Sequence, residues 1–176
     1  MAGSLVVLTG ASGAGKTAIA RCVEAKGLPN LQVLFFDSVG VPSRQEMNEQ
    51  HGTGHQPGGA WQRAMTIQWM KRIRSVLDAG VCILFEGQMR IAFIHEGLTA
   101  AGIGHAHLIL VDCADDDRAR RLTVDRGQPE LASIEMLNWA RYLRNESLQN
   151  GIQILDTSSI TLLESVQLVL RLLANT

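Results

Sequence analysis

Apolar positions along the chain follow two alternating periods. Runs at 4–9, 32–37, 81–86, 106–112 and 152–156 are short and rich in Val, Ile, Leu and Phe, the pattern of strands buried on both faces. Between them apolar residues return every three or four positions. Trp61, Met65, Trp69, Ile73 and Val76 predict a long amphipathic helix closed by Gly80, and Ile91, Ile94, Leu98 and Ala101 predict another. Residues 15–26 read as a helix stopped by Gly27 and Pro29, and 115–126 and 133–148 read as two more. Ser43 and Glu46 have capping-box spacing at the head of a short helix ending near Gln50. Thr161 and Glu164 open a C-terminal helix with Val166, Val169, Leu170 and Leu173 on one face. Strands interleaved with helices predict an α/β fold, a five-stranded parallel sheet covered on both faces as one three-layer domain.

Composition narrows the partners. A chain of 176 residues with 46% hydrophobic and 19% charged residues can bury one core and fold as a single unit. A formal charge of −1 lacks the basic excess of a phosphate-backbone binder, so nucleic acid is not an expected partner. No apolar run approaches the roughly 18 residues of a membrane span, and the apolar start at 1–10 reads as a buried strand, so a cytoplasmic protein is expected. Cys22, Cys82 and Cys113 are widely spaced in apolar contexts and read as core thiols. The stretch HGTGHQPGG at 51–59 must be an irregular surface loop; His51 and His55 have metal-pair spacing, but no helix there would hold them.

The strongest chemical signal is Gly10-Ala11-Ser12-Gly13-Ala14-Gly15-Lys16-Thr17, a G-x-x-x-x-G-K-[ST] motif between a predicted strand and a predicted helix. Its glycines let consecutive N–H groups converge at the positive end of the helix, which suits a phosphate chain. Lys16 is placed to neutralise the β- and γ-phosphates of ATP, and the Thr17 hydroxyl to bind Mg²⁺. Asp37 and Glu86 close neighbouring strands at the sheet edge where ligands bind, and could divide base and metal duties. Each also has a structural reading, Asp37 as a loop cap bonded through 38–40 and Glu86 as a turn cap.

On these residues the chain resembles the compact small-molecule kinases of the P-loop superfamily: nucleoside monophosphate, shikimate, gluconate and chloramphenicol kinases. The stretch ILFEGQMR at 83–90 is similar to the adenylate kinase strand ending L-D-G-F-P-R, with Glu86 in place of Asp. RLTVDRG at 121–127 resembles an arginine-bearing lid, and Asp156-Thr157-Ser158 the last strand end, which meets the nucleotide base. The resemblance implies sheet order 2-3-1-4-5 and Asp37 beside the hydroxyl that is phosphorylated. It also implies Arg121 and Thr157 at the nucleotide, Arg126 at the head of a short lid over 126–133, and an acceptor region over 38–79. Arg118 and Arg120 read as surface residues. Arg44, Arg90, Arg141 and Arg144 occupy positions that in nucleoside monophosphate kinases grip an acceptor phosphate, so as a set they suggest an acceptor bearing phosphate or carboxylate. Trp61 and Trp69 read as packing residues, although Trp61, beside the loop, could stack on an acceptor. The expected activity is transfer of the γ-phosphoryl group of Mg-ATP to a small molecule by a monomer or homodimer. The alternatives are an NTP-hydrolysing switch and a nucleotide-binding subunit acting within a complex.

Overall fold

The structure, a computed structural model, describes residues 3–52 and 58–174, the Arg44 side chain excepted. Five strands, β1 (Leu5–Thr9), β2 (Leu31–Phe35), β3 (Cys82–Glu86), β4 (His107–Asp112) and β5 (Gln153–Asp156), form one parallel sheet in the order β2-β3-β1-β4-β5. The helices are α1 (Lys16–Glu24), α2 (Arg44–His51), α3 (Gly59–Asp78), α4 (Ile91–Ala101), α5 (Asp115–Arg120), α6 (Ile134–Gln149) and α7 (Leu162–Ala174). Among the described residues no helix is long and apolar enough to cross a membrane.

The strand period of two sorts the core into two layers. Leu5, Val7, Ile83 and Phe85 face one side with Trp69, Met70 and Ile73 of α3 and Ile91, Ile94 and Leu98 of α4. Val6, Leu8, Leu84, Ile109, Val111 and Leu155 face the other with Ile19 and Val23 of α1 and Val166 and Val169 of α7. Phe85, fully buried, has its ring centroid 5.2 Å from Trp69 and 6.2 Å from Phe36. Truncating it to alanine would cost about 3–5 kcal/mol.

Register brings the carboxyl ends of the strands to one edge: Phe35 lies opposite Glu86, Leu8 opposite Glu86, and Asp112 opposite Asp156. Loops from that edge carry the polar residues of interest. Gly87 lets two of them approach, since a Cβ there would lie 2.4 Å from the Phe36 Cβ. Asp37 lies beyond the end of β2, within a 3₁₀ turn over Phe36–Val39.

The capping box is present, Ser43 Oγ accepting from the Glu46 N–H and Glu46 accepting from the Ser43 N–H. Thr161 and Glu164 make the same reciprocal pair ahead of α7. The single helix expected over 115–126 is interrupted. α5 stops at Arg120 and passes into a π-helical turn, Arg121–Asp125, whose wider coil is closed by the Arg126 N–H donating to the Arg121 carbonyl at 3.0 Å. Such turns re-aim side chains and recur at functional sites. A 3₁₀ turn at Pro129–Leu131 then leads to α6. Trp69 is buried as expected and Trp61 half-buried; Cys113 is buried, whereas Cys22 and Cys82 are half-buried. His55 and most of the glycine-rich stretch lie outside the described residues, among which no group of three or more His, Cys, Asp or Glu could hold a metal.

Candidate active site

The turn from β1 into α1 is built by three glycines with positive φ, Gly10 at 146°, Gly13 at 78° and Gly15 at 103°. At Gly13 a side chain is excluded twice over. Its φ disfavours any Cβ, and that atom would lie 3.1 Å from both Arg118 Cγ and Leu122 Cγ. Among the described residues the Gly13 and Gly15 N–H groups donate to no protein acceptor. Lys16, 6% exposed, donates from Nζ to the Ala11 carbonyl at 3.1 Å. Burial is the main cause that lowers its pKa to about 8, against the raising influence of Glu86 and Asp37; Arg118 and Arg126 lower it further. A buried, half-compensated cation is poised for an anion.

A cavity of about 300 Å³ opens in front of this turn, lined by Lys16 and Thr17 together with Asp37, Glu86, Arg121 and Arg126. The residues singled out from four distant stretches of sequence therefore meet in one place. The Thr17 hydroxyl donates to Glu86 Oε1 at 3.1 Å. Desolvation raises the Glu86 pKa, opposed by Lys16 and by the Thr17 hydrogen bond. Arg121 donates to Thr157 Oγ1 at 2.8 Å, to the Thr157 carbonyl at 2.9 Å and to the Gly13 carbonyl at 3.3 Å, tying the glycine turn to the end of β5. Asp37 and Arg126 are exposed, and neither side chain makes a hydrogen bond or ion pair among the described residues. The loop-cap reading of Asp37 thus lacks its hydrogen bond.

Several arginines stand elsewhere than expected. Arg118, read as a surface residue, is 1% exposed; it donates to the Ser12 carbonyl at 2.8 Å and pairs with buried Asp112, whose other oxygen receives Arg144 Nε at 2.7 Å. Pairing with Asp112 makes the deep burial of Arg118 tolerable, and its bond to Ser12 props the glycine turn from behind. Arg120 is exposed, as expected. Arg141 pairs with Asp115 at 3.1 Å. Arg90, expected at the acceptor, does not line this cavity. It sits 3.4 Å from Glu146, with its guanidinium over the rings of Phe93 and Tyr142. The Arg44 side chain lies outside the described residues.

Gln88 also lines this cavity, and Trp139 and Glu146 brace the loop behind it; the sequence singled out none of the three. Gln88 donates to Ser12 Oγ at 2.9 Å and accepts from Trp139 Nε1 at 3.2 Å. Glu146 accepts from the Ile91 N–H at 2.7 Å and so anchors the head of α4 from α6. Gln88 directly follows the Glu86-Gly87 strand end and could have been found by that position; Trp139 and Glu146 had no local signal.

No protein-family model matches the chain, and no characterised protein matches it in sequence. Solved structures do match in three dimensions. A sugar kinase from Janibacter sp. HTCC2649 superposes with a TM-score of 0.72 at 18% identity, covering 98% of this chain and 95% of that one. The chain has the fold of the P-loop small-molecule kinases. Thymidylate kinase from Candida albicans matches with a TM-score of 0.65 at 13% identity, covering 98% and 92%. Shikimate kinase from Acinetobacter baumannii, solved with shikimate, matches at 0.59 and 18%, covering 97% and 93%. The sheet order described above is that of the P-loop kinase fold, shared with these structures at 13–18% sequence identity.

Proposed function

We propose that the protein is an ATP-dependent kinase that phosphorylates a hydroxyl group of a small molecule. The observation that carries this reading is the sharing of one cavity by Lys16 and Thr17, which suit a triphosphate, and Asp37, a carboxylate with no structural partner. Gly13 and Gly15 supply backbone donors to the phosphates, Lys16 offsets the charge on the β- and γ-groups, and Arg121 with Thr157 borders the nucleotide side. The 3.1 Å pair of Thr17 hydroxyl and Glu86 carboxylate is a hard-oxygen donor set that fits Mg²⁺, an ion that needs few protein ligands when phosphates supply the rest. When bound there, Mg²⁺ offsets charge on the phosphates.

Asp37 accepts the proton of the acceptor hydroxyl as its oxygen bonds to the γ-phosphorus. The bond from that phosphorus to the β,γ-bridging oxygen breaks, ADP leaves, and Asp37 returns its proton to water. Arg126, at the head of the 126–133 lid, adds a cation to the transferring group when that segment closes, and closure excludes competing water. The test is incubation with Mg-ATP with and without a fractionated metabolite extract, reading phosphorylated products by ³¹P NMR. A kinase yields a new phosphate ester and extract-dependent ADP. Steady ADP formation with free phosphate and no ester would mark an NTP-hydrolysing switch instead.

A further inference from the structure

A second cavity, of about 270 Å³, adjoins the first; Asp37 and Gln88 line both. Its walls are aromatic. Trp61 meets Phe36 edge to face, centroids 5.8 Å apart at 84°. Trp139 is stacked on Tyr142 at 5.6 Å and 4° and fixed by its hydrogen bond to Gln88. The polar groups between them are amides. Gln62 donates to the Gln88 carbonyl at 2.6 Å and accepts from the Arg90 N–H at 3.1 Å. Each of these glutamines is held by protein contacts at both ends of its amide. Each keeps a second N–H and a second lone pair, the complement of a hydroxyl or amide.

Charge decides what can enter. Among the described residues Asp37 is the one ionisable group lining this cavity, and three of the four arginines expected to grip an acceptor anion, Arg90, Arg141 and Arg144, are engaged with Glu146, Asp115 and Asp112. An anionic group here would lose its hydration, meet no described cation and face Asp37. An apolar ring face meets indole surfaces that bury area with little loss of side-chain freedom. The volume equals that of about nine waters, which suits one ring and its substituents.

We propose that the phosphoryl acceptor is an uncharged, hydroxyl-bearing, single-ring molecule whose flat apolar face rests on Trp61 and Trp139. This rests on the kinase reading and reverses the expectation of a phosphate- or carboxylate-bearing acceptor.

Two measurements test it. The first needs no activity. Tryptophan emission comes from Trp61, Trp139 and the buried Trp69, so external quenchers report on the cavity. Quenching by iodide and by caesium is measured, each relative to free N-acetyltryptophanamide. Iodide no better than caesium supports a site without a cation, and iodide as the better quencher overturns it. The second uses Mg-ATP with the pair 4-(hydroxymethyl)benzamide and 4-(hydroxymethyl)benzoate, and with methyl glucoside against methyl glucuronide. The neutral member should have a kcat/KM at least about tenfold higher, and Trp61→Ala or Trp139→Ala should raise KM for it while nucleotide affinity holds. A ratio of one or below, or indifference of KM to both substitutions, overturns the proposal. Phosphate transfer to no compound at all, extract included, refutes the kinase reading, while the quenching result still decides the charge character of the cavity.

Discussion

Nucleotide affinity should fall as pH rises through about 8, because Lys16 must be a cation to meet phosphate and its pKa in the free protein is about 8. The protonated fraction is about 0.9 at pH 7 and about 0.1 at pH 9, so binding weakens about tenfold across that interval, about 1.4 kcal/mol. A bound phosphate chain raises the Lys16 pKa again, and the complex takes up the missing proton. Calorimetry with Mg²⁺ and a non-hydrolysable ATP analogue, run at each pH in two buffers of different ionisation heat, measures both affinity and proton uptake. Uptake should be near zero at pH 7 and approach one proton by pH 9. Lys16→Arg, whose cation does not titrate in this range, should abolish the slope whatever its absolute affinity. A flat profile for the wild type, or the same slope in Lys16→Arg, would refute the assignment. Stability carries the opposite sign. The folded pKa lies below the unfolded value of 10.5, so the fold bears the full cost of the buried cation below pH 8 and is relieved of it as pH rises from 8 to 10.5. That cost is about 3 kcal/mol. Lys16→Met removes it and also loses the hydrogen bond to Ala11, so on the order of 2 kcal/mol of extra stability is expected at pH 7, shrinking toward pH 10. Denaturant unfolding that found the wild type the more stable at pH 7 would contradict the burial argument.

Asp37→Asn keeps shape and removes the base, so kcat toward the true acceptor should drop by about 10²-fold or more while ATP affinity measured by calorimetry is unchanged; a normal kcat would exclude Asp37 as base. Arg126→Ala should lower kcat by up to about 10³-fold with no change in Tm, and hydrogen exchange over 126–133 should slow when a bisubstrate analogue binds; an active variant with unaltered exchange would remove the lid. Arg118→Met leaves Asp112 buried with Arg144 alone and frees the Ser12 carbonyl, so thermal unfolding should reveal a loss of about 3–5 kcal/mol together with weakened nucleotide binding. A stability equal to the wild type would show that Arg118 does not prop the turn.

Periodicity and turn chemistry are local, and what they specify was legible in the chain. The five strands, the capping box at Ser43 and Glu46 and the P-loop at 10–17 all depend on neighbours within a few residues, and the structure contains each of them. The sheet order was legible through resemblance, since alternation of strands and helices fits several windings. The arginines show where local reading stops. Arg118 sits in a charged stretch that looks like a solvated face, yet it is buried, because Asp112 from the preceding strand pairs with it and the Ser12 carbonyl, more than a hundred positions earlier, accepts from it. Arg90 follows a strand end, as the resemblance led one to expect of an acceptor-gripping arginine, but Glu146, 56 positions further along the chain, holds it away from both cavities. Gln88, Gln62 and Trp139 acquire meaning from an amide network that spans three elements. Burial and pairing are properties of what the folded chain brings together across long sequence separations. The sequence alone thus determined the strands, the caps and the glycine turn at 10–17, and the tertiary structure decided which cations are spent on structure and which face the cavity.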